Sequence, residues 1–237
     1  MHNQPSNQLP TTNGGVVNLI VALLPAHNEE RRIGDVISKV QNYVQKVIVC
    51  DDGSTDATYE RAIDAGAEVI KHKRNMGYGA ALQSLFEKAH NVPASAYVTV
   101  DADGQHESAC IPALAEPILK NEAAIVIGSR FLSDNGSFVP AHRRIAIRVI
   151  TSLCDAATGG EFTDLQSGFR AYSNRAMTIS RPSRPGMGAS TEIILRATRS
   201  GLRIREVPVQ IYYHEERSSP VASVRQFLDV LSSILMN

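Results

Sequence analysis

The sequence predicts an α/β protein with a mostly parallel sheet and helices on both faces. Short runs of Val, Ile and Leu alternate with segments whose apolar residues recur at helical spacing, which is the pattern of consecutive βαβ units. These runs lack polar alternation, as expected for strands that are covered on both faces. The length of 237 residues and the 43% share of hydrophobic residues fit one large domain better than two small ones.

The elements follow one another from Val16 onward. The first half contains strand VNLIVALL, a helix from Ile33 to Tyr43, strand KVIVC, a helix, strand AEVI, a helix and strand AYVTV. In the less regular second half, we predict strands in AAIVIGSRF, GFRAY and LRIREVPVQIYY, and helices over 143–157 and 191–200. One folded domain at residues 16–219 accounts for all of them.

Both ends of the chain differ from this domain. Residues 1–15 are rich in Asn, Gln, Pro, Thr and Gly, so we expect a disordered tail. Over residues 220–237, apolar side chains from Val221 to Leu235 fall on one face at helical spacing, which predicts an amphipathic helix. This pattern fits packing against the domain and contact with a membrane surface or a partner about equally well.

Composition narrows the class of partner and the cellular setting. Lys and Arg number 24, and Asp and Glu also number 24, so no global positive field exists to attract nucleic acid. Three scattered cysteines without C-x-x-C spacing suggest neither disulfides nor zinc, and they favour a reducing, cytoplasmic setting. The N-terminus shows no secretory signal, and the longest apolar run, Leu19 to Ala26, is far short of the roughly 20 residues of a membrane-spanning helix.

Polar and acidic segments follow the first, second and fourth strands, namely PAHNE, DDGSTD and DADGQH. In open α/β sheets, ligands bind beyond the carboxyl ends of the strands. Asp101 and Asp103 flank Ala102, so in an extended segment both carboxylates face the same way and converge with Gln105. These oxygen donors suit Mg²⁺ or Mn²⁺, which would then bridge substrate phosphates.

The other two segments also offer polar groups to a ligand. Burying the adjacent carboxylates of Asp51 and Asp52 at a sheet edge is costly unless a donor reaches one of them, and a nucleotide base N–H is such a donor. His27 and Glu29, after the first strand, face either this crevice or solvent.

A glycine-containing segment precedes the third helix. Backbone N–H groups around Asn75, Gly77 and Gly79 could receive a phosphate, or the glycines could simply serve the entry into the helix. The spacing lacks the rest of a dinucleotide fingerprint, so NAD binding is not predicted.

Arginines characterise the second half of the chain. Arg130 follows a strand in GSRF, Arg143 and Arg144 open a helix, Arg170 lies in SGFRA, and Arg217 follows the final strand. Guanidinium groups suit bidentate phosphate binding, although surface ion pairs would explain each arginine singly. Arg130 and Arg217 both lie at strand ends on the crevice side, which favours phosphate binding for these two.

In order and spacing, the motifs PAHNE, DDGSTDAT, NMGYGAAL, DADGQH, GSRF and DLQSGFRA closely resemble the family 2 glycosyltransferases of the dolichyl-phosphate mannose synthase type. The resemblance covers roughly residues 17–218. It implies a GT-A fold, with a Rossmann-like sheet in a catalytic domain at residues 16–219. It also implies inverting transfer from a UDP- or GDP-sugar to a polyprenyl phosphate, such as dolichyl or undecaprenyl phosphate, at the cytoplasmic face of a membrane.

The resemblance assigns roles residue by residue. The base and ribose of the donor are held by residues matching Pro25, His27, Glu29 and Asp52. The divalent cation and the donor diphosphate are held by residues matching Asp101, Asp103 and Gln105. The acceptor phosphate is held by arginines matching Arg130, Arg143 and Arg217, and together with Asp103 these are the predicted catalytic residues.

Two departures from the family pattern concern the acceptor. Relatives usually carry a serine, beside the lipid phosphate, four residues after the arginine matching Arg143. This chain has Ile147 there, so one hydroxyl contact is lost. The tryptophan often found just before that arginine is also absent, since the chain contains no Trp.

An acceptor phosphate is already ionised at neutral pH, so we expect direct displacement at the anomeric carbon without a strong general base. The cation would stabilise the leaving diphosphate while the arginines orient the nucleophile. A sugar-hydroxyl acceptor would instead need a carboxylate base, for which Asp164 is the candidate. Further alternatives are a non-catalytic nucleotide-sugar-binding module and a metal-dependent nucleotidyltransferase, although the latter would need a Gly-rich basic loop that is not apparent.

Overall fold

A computed structural model describes residues 18–132, 139 and 141–212, with the backbone alone at 141–143 and 157–158. The strands are β1 (Ile20–Ala26), β2 (Lys46–Asp51), β3 (Glu68–Lys71), β4 (Ala96–Thr99), β5 (Ile125–Ser129), β6 (Arg170–Tyr172) and β7 (Ile204–Pro208). The helices are α1 (Ile33–Val40), α2 (Thr58–Asp64), α3 (Tyr78–His90), α4 (Ile111–Leu119), α5 (Ala141–Thr158), α6 (Asn174–Ile179) and α7 (Ala189–Arg199). The predicted tail at 1–15 and the predicted helix at 220–237 lie outside the described residues.

The strands form one sheet in the order β3-β2-β1-β4-β6-β5-β7. Among the described strands, β6 alone runs antiparallel to its neighbours β4 and β5. The predicted mostly parallel α/β sheet is therefore confirmed. Because β6 is reversed, its first residue, Arg170, lies opposite Thr99 near the carboxyl end of β4. The segment before β6 thus reaches the edge where the parallel strands end.

Alternate residues of β1 face two different apolar layers. Ala22 and Leu24 pack with residues of α1 and α4, whereas Val21 and Leu23 pack with residues of α3 and α7. Every residue of β1 is buried, which explains why its sequence is continuously apolar. The two layers hold the strand ends of β1, β2 and β4 in a fixed position at one edge of the sheet.

The last predicted strand is shorter than expected. Its ladder with β5 ends at Pro208, opposite Ser129, the last residue of β5, and the Val209 N–H adds one hydrogen bond of 3.0 Å to the Ser129 carbonyl. Beyond it, Ile211 pairs with His106 in an isolated antiparallel bridge, and the N–H of Tyr212 donates to the carbonyl of Gln105 at 2.9 Å. The segment after β7 is therefore joined to the DADGQH loop.

The glycines at the start of α3 are explained by the close approach of another loop. A Cβ on Gly79 would lie 2.0 Å from the carbonyl oxygen of Arg184, and one on Gly77, which has φ of 100°, would lie 2.5 Å from that of Pro185. The N–H groups of Gly79 and Ala80 both donate to the Pro185 carbonyl. The hypothesis that this helix entry is open to a phosphate is therefore wrong, because a backbone oxygen already occupies it.

Replacing Gly79 with Ala should lower the free energy of unfolding by about 1–3 kcal/mol, because the added methyl group meets backbone atoms that cannot rotate away. Gly34→Ala is a matched control: it lies inside α1 with no atom within 4 Å of the added Cβ, and it should raise stability by about 1 kcal/mol. Urea unfolding measures both changes. A Gly79→Ala protein as stable as the wild type would contradict the close approach.

Candidate active site

Three cavities lie along the carboxyl edge of β1, β2, β3 and β4, and they share lining residues. Their volumes are about 610, 140 and 200 Å³, and His27 lines all three. Residues predicted to hold the donor or the metal line one or more of them, namely Pro25, His27, Glu29, Asp52, Asp101 and Asp103. The structure thus brings these six together in one cleft, as the rule on strand ends predicts.

Asp101, two residues beyond β4, lines one of these cavities. Its side chain is 32% exposed. Burial of the carboxyl group raises its pKa to about 6, while the guanidinium groups of Arg130 and Arg170 act in the opposite direction. A carboxylate whose charge is only partly compensated by the protein is stabilised by an added cation.

Gly168 leaves room for the Asp101 carboxylate. A Cβ at position 168 would lie 2.8 and 2.9 Å from the two carboxylate oxygens and 3.1 Å from the Tyr78 hydroxyl. The Gly168 carbonyl in turn accepts a hydrogen bond of 2.7 Å from the hydroxyl of Thr99, at the end of β4. The lack of a Cβ at Gly168 therefore lets the Asp101 carboxylate pack against the loop that contains the SGFRA motif.

His106 contacts Asp101 from the other side. Its Nδ1 accepts a hydrogen bond of 3.2 Å from the Asp101 N–H, and its Nε2 lies 3.6 Å from Asp101 Oδ2. Burial lowers the pKa of His106 to about 4, so the ring is neutral at pH 7 and carries its proton on Nε2. The ring also stacks on Phe169 with centroids 4.7 Å apart, which fixes its orientation.

Asp103 shares a cavity with Asp101, but Gln105 is not among the residues that line it. The Oδ1 atom of Asp103 accepts the Gln105 N–H at 2.9 Å, which shapes the loop. No group of three or more His, Cys, Asp and Glu side chains within the described ranges is arranged to hold a metal. The site still fits Mg²⁺ or Mn²⁺, because such ions commonly bind one or two carboxylates and take their other ligands from substrate phosphates and water.

The burial of Asp52 does not have the cause predicted from the sequence. Its carboxylate is buried, but it is saturated by protein donors: the His72 ring at 2.7 Å, the Met76 N–H at 2.9 Å and the Gly77 N–H at 2.7 Å. No nucleotide donor is needed to explain its burial. Asp52 also lines the cavity between Pro25 and Tyr78, so its predicted contact with the donor stays a prediction.

Asp51, by contrast, has one carboxylate oxygen without a hydrogen-bond partner among the described residues. Its Oδ1 accepts from the Ser54 N–H at 3.0 Å, whereas its Oδ2 is buried with no hydrogen-bond partner among the described residues. Asp51 is fully buried, so a ligand could reach this oxygen only if the loop moved. The paired aspartates thus shape the loop after β2.

Arg130 forms a bidentate ion pair with Asp164. Its Nε and Nη2 atoms lie 2.5 and 2.6 Å from the two carboxylate oxygens, and its backbone N–H also donates to Asp164. Asp164 is fully buried, and Glu206 on β7 holds its backbone N–H. The candidate general base for a sugar hydroxyl therefore has no exposed oxygen, and the interpretation of Asp164 as that base is not supported.

Of the other predicted arginines, only Arg170 has a described side chain that bears on the prediction. Arg143 lies near the start of α5, where only the backbone is described, and Arg217 lies outside the described residues. Arg170 is 1% exposed and is therefore not a surface ion-pair residue. Its guanidinium donates to backbone carbonyls of Leu165, Ser167 and Ser190, each at 2.8 Å.

Several lining residues were missed by the reasoning from sequence, including the basic residues of the largest of the three cavities, Lys71, His72, Lys73 and Arg74. Tyr78 lines two of the cavities, and Met187 lines the one that contains Asp101. Burial, followed by the charge of Asp101, raises the pKa of Tyr78 well above its usual value, so its hydroxyl stays protonated. The motif NMGYGAAL contained the signal for Tyr78, whereas no local signal marks Met187.

Residues 22–178 match the family model described as "Glycosyl transferase family 2". The chain belongs to this family. The predicted family and its GT-A fold are thereby confirmed, and the general activity is that of a glycosyltransferase.

Two relatives of this glycosyltransferase indicate the range of the family. It is 30% identical over 218 residues to the UDP-N-acetylglucosamine–dolichyl-phosphate N-acetylglucosaminyltransferase of Methanococcus voltae, covering 83% of this chain and 87% of that protein. It is 28% identical over 208 residues to the undecaprenyl-phosphate mannosyltransferase of Micrococcus luteus, covering 83% of this chain and 84% of the relative.

A solved structure with the same fold is that of glucosyl-3-phosphoglycerate synthase from Mycobacterium tuberculosis in complex with Mn²⁺, uridine-diphosphate-glucose and phosphoglyceric acid. The TM-score is 0.71 and the sequence identity 26%, over 92% of this chain and 79% of the other. Within residues 18–132, 139 and 141–212, no helix of this glycosyltransferase is long and apolar enough to span a bilayer.

Gly168→Ala should weaken Mn²⁺ binding by about 10–100-fold, the range found when groups that position a metal ligand are changed. The reason is that the Asp101 carboxylate can rotate away from the new methyl group, so the free energy of unfolding should change by less than about 1 kcal/mol. Calorimetric titration with Mn²⁺ measures the affinity, and Gly34→Ala serves again as the control. Unchanged Mn²⁺ affinity in Gly168→Ala would exclude Asp101 as a metal ligand in its present position.

Proposed function

We propose that this protein transfers a sugar from a UDP- or GDP-sugar to a polyprenyl phosphate, with inversion at the anomeric carbon and with Mg²⁺ or Mn²⁺ bound. The observation that carries the choice of acceptor is the Arg130–Asp164 pair. It removes the candidate base for a sugar hydroxyl, and it holds in place an arginine whose charge acts on Asp101, which suits an acceptor that is itself an anion. The dolichyl-phosphate and undecaprenyl-phosphate activities named for two relatives support the same acceptor class.

The donor is proposed to lie along the cleft, with its base and ribose near Pro25, His27, Glu29 and Asp52. Asp101 and Asp103, with Gln105 as a third predicted ligand, would hold the cation. That cation would offset the negative charge that develops on the leaving nucleoside diphosphate. Neutral His106 and Gly168 keep the Asp101 carboxylate in place before substrate arrives, so little reorganisation is needed on binding.

The acceptor phosphate is proposed to bind Arg130, Arg143 and Arg217. Its oxygen is ionised near neutral pH, so the attack needs orientation and charge compensation rather than a proton acceptor. Ile147, which stands where relatives carry a serine, is 8% exposed and lies on the inner side of α5. The arginines would therefore carry phosphate recognition without that hydroxyl.

A small phosphorylated acceptor is the second candidate. It is favoured by the likeness to glucosyl-3-phosphoglycerate synthase, whose structure contains phosphoglyceric acid. Such an acceptor shares the anionic group with a polyprenyl phosphate but lacks the lipid chain.

A transfer assay tests the proposal directly. The protein is supplied with Mg²⁺ or Mn²⁺, a panel of UDP- and GDP-sugars, and either a short polyprenyl phosphate or 3-phosphoglycerate, and both nucleoside diphosphate and glycosylated product are scored. We expect lipid-dependent turnover with one donor, lost on chelation, and reduced by about 100-fold or more in Asp103→Asn because a direct ligand is removed. Product formed from 3-phosphoglycerate alone would reject the lipid acceptor, and full activity in chelator would reject the metal.

Asp164→Asn separates a residue that positions Arg130 from a general base. As a positioning residue, its loss should raise the KM for the acceptor by about 10–100-fold, the worth of a hydrogen bond between charged groups, with donor affinity unchanged. A fall in kcat of about 100-fold or more at unchanged KM would instead indicate a base. Asp64→Asn, an exposed change at the end of α2, is the control, and circular dichroism shows whether each variant is folded.

A further inference from the structure

The loop between α6 and α7, residues 180–188, brings one side chain into the cleft. We call this segment the Met187 loop. Met187 is half-buried and lines the cavity of about 200 Å³ that Asp101 and Asp103 also line. It lines neither the largest of the three cavities nor the one that contains Asp52. Met187 therefore lies on the side of the cleft where the cation and the donor diphosphate are proposed to bind.

The Met187 loop is hydrogen-bonded to the start of α3. The Pro185 carbonyl accepts the N–H groups of Gly79 and Ala80 at 2.7 and 3.2 Å. Because Gly79 has no Cβ, the backbone of the loop can approach the helix this closely. The same turn of α3 contains Tyr78, which lines the Asp101 cavity together with Met187. The two segments that supply these lining residues are thus joined backbone to backbone.

Helix α7 holds the part of the loop that precedes Pro185. Glu192 is 1% exposed, and its carboxylate accepts the Ser183 N–H and hydroxyl at 3.0 and 2.6 Å and the Arg184 N–H at 3.0 Å. Arg196, one turn further along α7, forms an ion pair of 2.7 Å with the same carboxylate. A buried carboxylate that accepts several hydrogen bonds fixes the backbone from which it accepts them.

The segment after Met187 is fixed to the loop that packs against Asp101. Three residues beyond Met187, the Ser190 carbonyl accepts a hydrogen bond of 2.8 Å from the buried guanidinium group of Arg170. The same guanidinium group donates to the Ser167 carbonyl at 2.8 Å, beside the glycine that leaves room for the Asp101 carboxylate. The backbone around Met187 is therefore held at a fixed position relative to Asp101 before any substrate binds.

The cavity that Met187 lines has room for only part of a donor. Complete small-molecule sites occupy roughly 300–1,000 Å³, and this cavity has about 200 Å³. With the cation at Asp101 and Asp103, the donor diphosphate lies beside these carboxylates. The sugar is bonded directly to the β-phosphate, whereas the ribose is bonded to the α-phosphate and is proposed to lie near Asp52, which does not line this cavity. The sugar is thus the part of the donor that fits beside Met187.

Methionine can act on a bound sugar through its shape. Its thioether has no hydrogen to donate and is only a weak acceptor, so Met187 cannot recognise a sugar hydroxyl as a charged or amide side chain would. Its unbranched side chain is apolar and fills irregular space. At this position it occupies volume that a larger sugar substituent would need.

We infer that Met187 limits the size of the sugar that this protein accepts from its donor. It is therefore a specificity-determining residue of the proposed reaction, and the inference rests on the proposed function. Replacing Met187 with Ala removes the side chain beyond Cβ and opens space beside the donor sugar for a larger substituent, such as an N-acetyl group.

Kinetics with two donors that share a nucleotide test the inference. UDP-glucose and UDP-N-acetylglucosamine are such a pair, and the corresponding GDP pair replaces them if the transfer assay selects GDP. Release of nucleoside diphosphate in Mn²⁺, by transfer or by slow hydrolysis, gives kcat/KM for each donor. We expect Met187→Ala to raise the ratio of kcat/KM, N-acetylated donor over plain donor, by at least about tenfold, the lower end of the discrimination that a small change in an apolar pocket produces.

Two control variants accompany Met187→Ala. Met187→Leu nearly conserves the side-chain volume, so it should keep the ratio close to that of the wild type. Ile63→Ala changes a residue on α2 that is 46% exposed, and it should leave the ratio unchanged. Calorimetric titration with the free nucleoside diphosphate in Mn²⁺ is the second readout. Its affinity should be the same in all variants, because the free nucleotide has no sugar to contact Met187, whereas a merely structural role would lower it.

Two results would overturn the inference. The first is a wild-type ratio in a Met187→Ala protein that urea unfolding shows to be folded. The second is a loss of affinity for the free nucleoside diphosphate as large as that for the donor, since Met187 would then border the nucleotide. If the wild type uses nucleotide-sugars but transfers none to a polyprenyl phosphate, the proposed acceptor is wrong and the inference on the sugar stands. Wild-type protein that binds no nucleotide-sugar would reject both.

Discussion

The guanidinium group of Arg170 is almost wholly buried at the start of β6, where it donates to three backbone carbonyls of the surrounding loops. Because β6 is antiparallel, the segment that precedes it lies at the edge of the sheet where the parallel strands end. The hydrogen bonds of Arg170 fix the conformation of that segment. Gly168 then lies against Asp101, and Asp164 lies against Arg130. The positive charge of Arg170 also favours the ionised form of Asp101. The loop residues that contact Asp101 and Arg130 thus depend on one buried guanidinium group.

The protein holds the charged side chains at this edge of the sheet in position before any substrate binds. Arg130 is paired with Asp164, and the Asp52 carboxylate is held by His72 and two backbone N–H groups. The pKa of Asp101, about 6, shows that its negative charge is less fully compensated. A polar site with fixed dipoles stabilises charge that develops during a reaction without reorganising, which is what the proposed transfer from a nucleotide-sugar to a phosphate would require.

Local pattern and the rule on strand ends were enough to predict the α/β sheet and the meeting of the PAHNE, DDGSTD and DADGQH segments at one edge. The choice of Pro25, His27 and Glu29 within the first segment needed the family resemblance, because the pattern alone left His27 and Glu29 facing either the crevice or solvent. Pattern reasoning failed for contacts between residues that are far apart in the sequence. The donors to Asp52 come from residues 20 to 25 positions away, and the loop that packs on Gly79 lies more than 100 positions away. Arg170 could not be recognised as buried for the same reason.

The claim on which the account depends is that a divalent cation at Asp101 and Asp103 joins the donor diphosphate to the end of β4. Calorimetric titration of the protein with UDP and with GDP, in Mn²⁺ and in chelator, tests it most directly. We predict that one of the two nucleotides binds tightly in Mn²⁺, and that its affinity falls by at least about tenfold in chelator and equally in the Asp101→Asn protein with Mn²⁺ present. Equal affinity in all three conditions would contradict the account, because the diphosphate would then be held without the cation and without Asp101.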